Sequence, residues 1–183
     1  DKTALEVLQI LQSSPVGEHA VFDQAYQALQ PQLAFDDQFA QSLAERNVVL
    51  GIVFQQSTSS NINALPLPIV EIEPELMAFN SIVNANAYIA NLPAFHEHAA
   101  ASGFYDNPML DPDGVFRRVP LVQRIEQYVY PSLALSLARA ALDADSINIE
   151  FKRTVQGYDV DRIHLGTREN DTGSFGEIYV PYR

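Results

Sequence analysis

The chain has 183 residues, 47% hydrophobic and 19% charged, the length and balance of one globular domain, which excludes a disordered or fibrous polymer. A formal charge of -12 repels a phosphate backbone and an anionic membrane surface, so nucleic acid is not an expected partner. The absence of cysteine excludes disulfides, thiolate metal sites and a cysteine nucleophile, and no apolar run approaches the roughly 18 residues of a membrane span.

The chain opens in a helical pattern. Thr3 and Glu6 have capping-box spacing, and Leu5, Leu8 and Leu11 recur at helical intervals until Ser13, Ser14, Pro15 and Gly17 interrupt them. HAVFDQAY, His19 to Tyr26, reads as a short strand that brings Asp23 just past its apolar residues, a position that lines clefts in open α/β sheets. Asp36 or Asp37 is the expected cap of a further helix whose Phe39, Ala40, Leu43 and Ala44 share a face, with Asn47 as its stop. The apolar run VVLGIVF, Val48 to Phe54, suits a strand covered on both faces, as in a parallel sheet. Strand, helix, strand then implies a right-handed crossover.

Residues 55 to 68 read as an exposed loop, and IVEIEPE as a brief edge strand limited by Pro74. From Met77 to Leu92 the apolar spacing fits neither helix nor strand. Pro93 opens a helix through Ala94, Phe95, Ala99 and Ala100, ended by Gly103. GFYDN and VFRRVPLV read as the arms of a hairpin, with Pro120 at an edge or bulge. After a polar loop, YPSLALSLARAAL predicts a helix from about Ser132 with Leu133, Leu137 and Ala141 as its buried stripe. Ile147 to Arg153, Arg162 to Leu165 and Glu177 to Tyr182 are the closing strands, and the start and end of the chain suggest a piece trimmed at both ends.

The densest chemistry lies in LDPDGVFRRVP, Leu110 to Pro120. Alternating acids before a glycine look like a calcium loop, but Gly114 follows Asp113 directly, and the twelfth position from Asp111 is Val122 rather than a glutamate. DPDG has the composition of a β-turn, with proline second and glycine fourth. Asp111, Asp113, Arg117 and Arg118 are therefore candidate ligand or ion contacts, or the parts of a bend whose arginines are held by its acids. His96 and His98 in FHEH point to nearly opposite sides of a helix, and the HExxH spacing of a zinc site is missing. Ser57, Ser59, Ser60 and Ser132 lack a GxSxG elbow, and neither GxGxxG nor a P-loop is present. Asp23, Asp36 and Asp37 remain as ligand candidates, although capping and turn formation explain them equally well.

Three blocks carry a resemblance. FDDQFAQSLAERNVVLGIVF resembles the D-x-x-[LF]-A-x-x-L...N-V-V-L-G segment of the CHASE2 domain. ASGFYDNPMLDPDGVFRRVPLV with YPSLALSLARAAL resembles that family's G-F-x-[ND]...D-x-D-G-x-x-R-R-x-P-L...Y-P-S-L-A-L block, and GEIYVPYR resembles its closing strand. The resemblance implies an extracytoplasmic sensor domain of bacterial transmembrane receptors, placed before membrane helices and a nucleotide cyclase, histidine kinase or serine/threonine kinase. It implies no catalysis here and carries over no list of ligand contacts. Asp111, Asp113, Gly114, Arg117 and Arg118 match its most characteristic motif. The family's opening strand, ending in aspartate, has no counterpart in the chain, and residues 55 to 92 are individual.

The expectation is one domain over residues 1–183, an α/β layered sandwich whose central sheet is largely parallel or mixed and flanked by helices. Its expected function is reception of an unidentified small molecule or ion, through Asp23, Asp36, Asp37, Asp111, Asp113, Arg117 and Arg118, with no catalytic residue, metal or cofactor. Periplasmic location in a membrane-anchored parent protein follows from the resemblance, and homodimerisation by analogy with the output modules. Two rival readings are a metal-assisted hydrolase using His96 and His98, and an acidic module that docks a basic protein.

Overall fold

The computed structural model describes residues 3–44, 46–77 and 80–181. Its helices α1 (Ala4–Gln12) and α2 (Ala20–Leu33) are separated by a 3-10 turn at Pro15–Glu18. The chain continues through α3 (Phe35–Ala44), β1 (Val49–Gln55), β2 (Val70–Glu71), α4 (Pro74–Met77), β3 (Ala87–Ile89), α5 (Pro93–His98), β4 (Ala101–Phe104) and β5 (Arg118–Pro120). It closes with β6 (Val122–Ile125), β7 (Tyr128–Pro131), α6 (Leu133–Ala141), β8 (Ile147–Arg153), β9 (Tyr158–Leu165), β10 (Arg168–Asp171) and β11 (Glu177–Tyr179).

The capping box of α1 forms as its spacing predicts: the Thr3 hydroxyl accepts from the Glu6 N–H, and the Glu6 carboxylate accepts from the Thr3 N–H. HAVFDQAY is helical rather than extended from Ala20 onward: His19 is the N-cap and the other seven residues open α2. Followed past Tyr26, its apolar positions Phe22, Tyr26, Leu29 and Leu33 recur at helical spacing, a period that an eight-residue window cannot separate from a strand. The crossover expected from a strand there does not exist. Asp36 and Asp37 likewise stand inside the first turn of α3 rather than at its cap, where negative charge still complements the helix dipole.

Of the two sheet types expected, the mixed one is observed. β1 pairs antiparallel with β3, Phe54 opposite Tyr88, and parallel with β4, Gly51 opposite Gly103. β2 is the brief edge strand predicted, on an antiparallel sheet of order β2-β7-β6, while β8, β9 and β10 form a meander and β5 pairs with β11. The hairpin expected from GFYDN and VFRRVPLV therefore does not form, because β4 takes β1 as its partner and β5 takes the last strand. A turn sequence reverses the chain, but distant registers decide which strands meet. The stretch read as a polar loop after Val122 holds most of the β6–β7 hairpin, whose turn residue Glu126 has φ 54°. It lacks the Asn-Gly or Asp-Gly signal that would have disclosed it. Wholly exposed β10 shows no alternation at all. Tyr182, placed in the last predicted strand, lies outside the described residues, as do two residues of the unassigned stretch from Met77 to Leu92.

Helix α5 ends at His98, and Gly103 lies inside β4 instead of stopping a helix. A β carbon on Gly103 would stand 2.6 Å from backbone atoms of Ser132 and Leu133, so only glycine lets this strand touch the start of α6. The Ser132 hydroxyl caps α6 by accepting from the Leu135 N–H at 3.2 Å. That contact turns Leu135 and Ser136 inward, rather than Leu133, Leu137 and Ala141, and leaves Leu137 49% exposed. The core has two centres. One gathers Val122, Val129, Leu135, Ile163 and their neighbours from β6 to β9. In the other, Phe54 stacks on Phe104 at 5.4 Å and meets Tyr130 edge-on at 5.7 Å.

Candidate functional site

The charged stretch is a closed clasp. The Gly114 N–H bonds to the Asp111 carbonyl at 2.9 Å, completing the β-turn that DPDG predicts, and Gly114 adopts φ +80°. Arg117 donates from both terminal nitrogens to the two Asp113 oxygens at 2.9 and 2.6 Å. Arg118 donates from Nε and Nη2 to Asp111 Oδ1 at 2.9 and 2.7 Å, and Arg117 Nη1 reaches Asp111 Oδ2 at 3.5 Å. The Arg117 guanidinium holds the Asp113 carboxyl below its usual value, and the carboxylates raise both arginines in return. Two positive and two negative groups satisfy each other, so an ion or ligand arriving there would have to displace an existing pair.

The other three candidate acids are placed elsewhere. Asp23 accepts from Gln12 Nε2 at 2.8 Å and ties α2 to α1, while Asp36 and Asp37 are exposed in α3. Among the described residues no hydrogen bond or ion pair joins any of them to the clasp. His96 and His98 do lie on a helix, as predicted, but His98 Nδ1 contacts the Ala94 carbonyl at 2.8 Å and His96 Nδ1 the Ser102 hydroxyl at 2.9 Å. Among the described residues no three His, Asp or Glu side chains are grouped to hold a metal ion.

Asp106 is a structural residue that the sequence did not single out. Its carboxylate accepts from the Phe54 N–H at 2.7 Å and from Gln123 Nε2 at 3.1 Å. Gln123 is fully buried, and a buried amide needs such a partner. Asn107 extends the seam by donating to the Arg118 carbonyl at 2.8 Å. The characteristic motif thus ties β1, β5 and β6 together even though its two halves do not pair as strands.

A cavity of about 560 Å³ opens between the 64–69 loop, α5, β4, the end of β7 and α6, within the size range of small-molecule sites. Leu65, Leu67, Ile69 and Tyr130 provide an apolar wall. Pro93, His96 and Glu97 project from one face of α5, and Ser136 and Arg139, three apart, from one face of α6. The polar side is linked internally: Ser102 contacts His96 Nδ1 through its hydroxyl and accepts from the Ser136 hydroxyl at 2.9 Å through its carbonyl. Burial lowers the His96 pKa, leaving a neutral imidazole at pH 7. Its Nε2 is buried without a hydrogen-bond partner, a state that costs about 1–3 kcal/mol. Burial, reinforced by Tyr88 and Tyr128, raises the Tyr130 phenol to about 12, so it stays protonated. No period or motif announces this cavity, because five separate segments build it.

Residues 2–183 match the CHASE2 domain, and the chain belongs to that family. CHASE2 is a family of extracellular sensor domains of signalling receptors, sensory rather than catalytic. No curated protein and no solved structure matches the chain. Among the described residues no helix is long and apolar enough to cross a membrane.

Proposed function

We propose that residues 1–183 form one stimulus-binding input module, held in the periplasm by a membrane-anchored bacterial receptor whose output is a nucleotide cyclase, histidine kinase or serine/threonine kinase. The observation that carries this reading is the family match over residues 2–183; the cavity at α5 and α6 supports it by offering a place for a small molecule. Signalling requires two arrangements of the module, or of a homodimer of it, that the stimulus binds unequally, because a ligand with equal affinity for both shifts nothing. The hydrolase alternative gains no support from His96 and His98, whose Nδ1 atoms are engaged with separate protein groups.

The complete reading frame tests the proposal. It should encode apolar membrane spans next to this module and a signalling domain beyond them. Deleting the module should leave membrane insertion intact while removing the response of the output to its stimulus. A parent gene that encodes a free-standing cytosolic protein overturns the reading.

A further inference from the structure

The cavity contains an unanswered charge. Arg139 is half-buried on its wall, yet among the described residues its side chain has no hydrogen bond and no ion pair. Among the described residues the other half-buried arginines are engaged: Arg118 by Asp111, Arg162 by Asp171, and Arg124 by the carbonyls of Ile82 and Glu126. A guanidinium withdrawn from water gains most from a planar anion that accepts two parallel hydrogen bonds. His96 lines the same cavity, but its Nε2 is closed off from solvent, so Arg139 is the cation that a ligand can reach. Leu65, Ile69 and Tyr130 make the rest of the lining largely aliphatic and aromatic in character.

We propose that this cavity binds a small organic monocarboxylate, its carboxylate paired with Arg139 and its apolar body packed against Leu65, Ile69 and Tyr130. Arg139 is the one cation among the described residues of the lining, and it sets the charge of the ligand. A second carboxylate would find no further cation among the described lining residues and would meet Glu97, exposed in the same lining, in a chain of net charge -12. Phosphate is disfavoured for the same reason, since it is recognised by several donors at once. The apolar wall requires a body that gains from leaving water, aromatic or branched aliphatic. Leu67, 92% exposed beside the opening, adds apolar surface that such a body would cover. The proposal rests on the sensor reading only in taking the cavity as the place where the stimulus binds.

Calorimetry and thermal shift on the purified 183-residue chain test it, with phenylacetate and 4-methylpentanoate as probes, and phenylacetamide, succinate and inorganic phosphate as comparisons. The two monocarboxylates are expected to bind and raise the melting temperature. Phenylacetamide, which keeps the body but loses the charge, should bind at least tenfold more weakly than phenylacetate. Arg139→Gln should lose at least tenfold in affinity while melting unchanged without ligand, since among the described residues the side chain has no hydrogen bond or ion pair to lose; Arg139→Lys should retain part of the affinity. Arg168→Gln, on an exposed strand, should bind as the unaltered chain does. Undiminished binding to Arg139→Gln, equal binding of the amide, or no binding of either monocarboxylate overturns the proposal. Each of those outcomes leaves the receptor reading standing, whereas a cytosolic parent protein would remove that reading without altering the measured affinities.

Discussion

Gly114 shows how a single backbone position governs the charged turn. At φ +80° it occupies a region that side chains rarely adopt, and a β carbon there would meet nothing within 4 Å. Any substitution is therefore penalised by conformation alone and not by crowding. Gly114→Ala should destabilise the chain by about 1–2 kcal/mol, Gly114→Asn by less, and β-branched Gly114→Val by more. Urea denaturation midpoints of the three variants check that order; equal midpoints for all three would contradict it. The bend was legible from DPDG, because turn chemistry is local. That its arginines are held by nearby acids was legible too, since a tight turn leaves residues four to seven apart little room to avoid each other; which arginine takes which acid is seen only in the structure. Asp106 was not, because its partners Phe54 and Gln123 lie 52 and 17 residues away.

At the scale of elements, helices with a cap and a clean period were found where they were expected, as α1 and α6 were. α2 is not legible from its opening alone, because His19 to Tyr26 satisfies a strand pattern as well as a helical one. Strand partners are the least local feature of the fold, and β4 shows why. It pairs with β1 along one edge and meets the start of α6, a contact that depends on Gly103 having no side chain. Gly103→Ala should force β4 and α6 apart and cost about 1–3 kcal/mol, the usual range for overpacking a tight contact. Because Ser102 and Ser136 sit at the same junction, the variant should also perturb the hydrogen bond between them. Hydrogen exchange would report this as faster amide exchange in β4 and in the first turn of α6. Unchanged exchange there would mean that the backbone contact is not tight.

For the whole molecule, net charge is the property with the broadest reach. A charge of -12 on 183 residues opposes compaction through self-repulsion, while the ion pairs Arg117–Asp113 and Arg162–Asp171 are exposed or partly exposed and few. Screening should therefore relieve more repulsion than it removes attraction. The melting temperature is expected to rise as sodium chloride increases from about 0.02 M to about 0.5 M, over which the Debye length shrinks well below the size of the domain. A fall over that interval would show that specific surface pairs outweigh the overall field.

Taken alone, the sequence determined what short-range chemistry decides: the capped helices, the DPDG turn with its arginines, the exclusion of cysteine chemistry, and the motif blocks that mark the family. Those features are encoded by residues a few positions apart, where backbone preference and side-chain reach suffice. Tertiary structure decided which strands pair, which face of α6 turns inward, and where five distant segments form a cavity whose arginine has no ion-pair partner among the described residues. Such outcomes depend on registers and close approaches between segments far apart in the chain, and no local pattern records them.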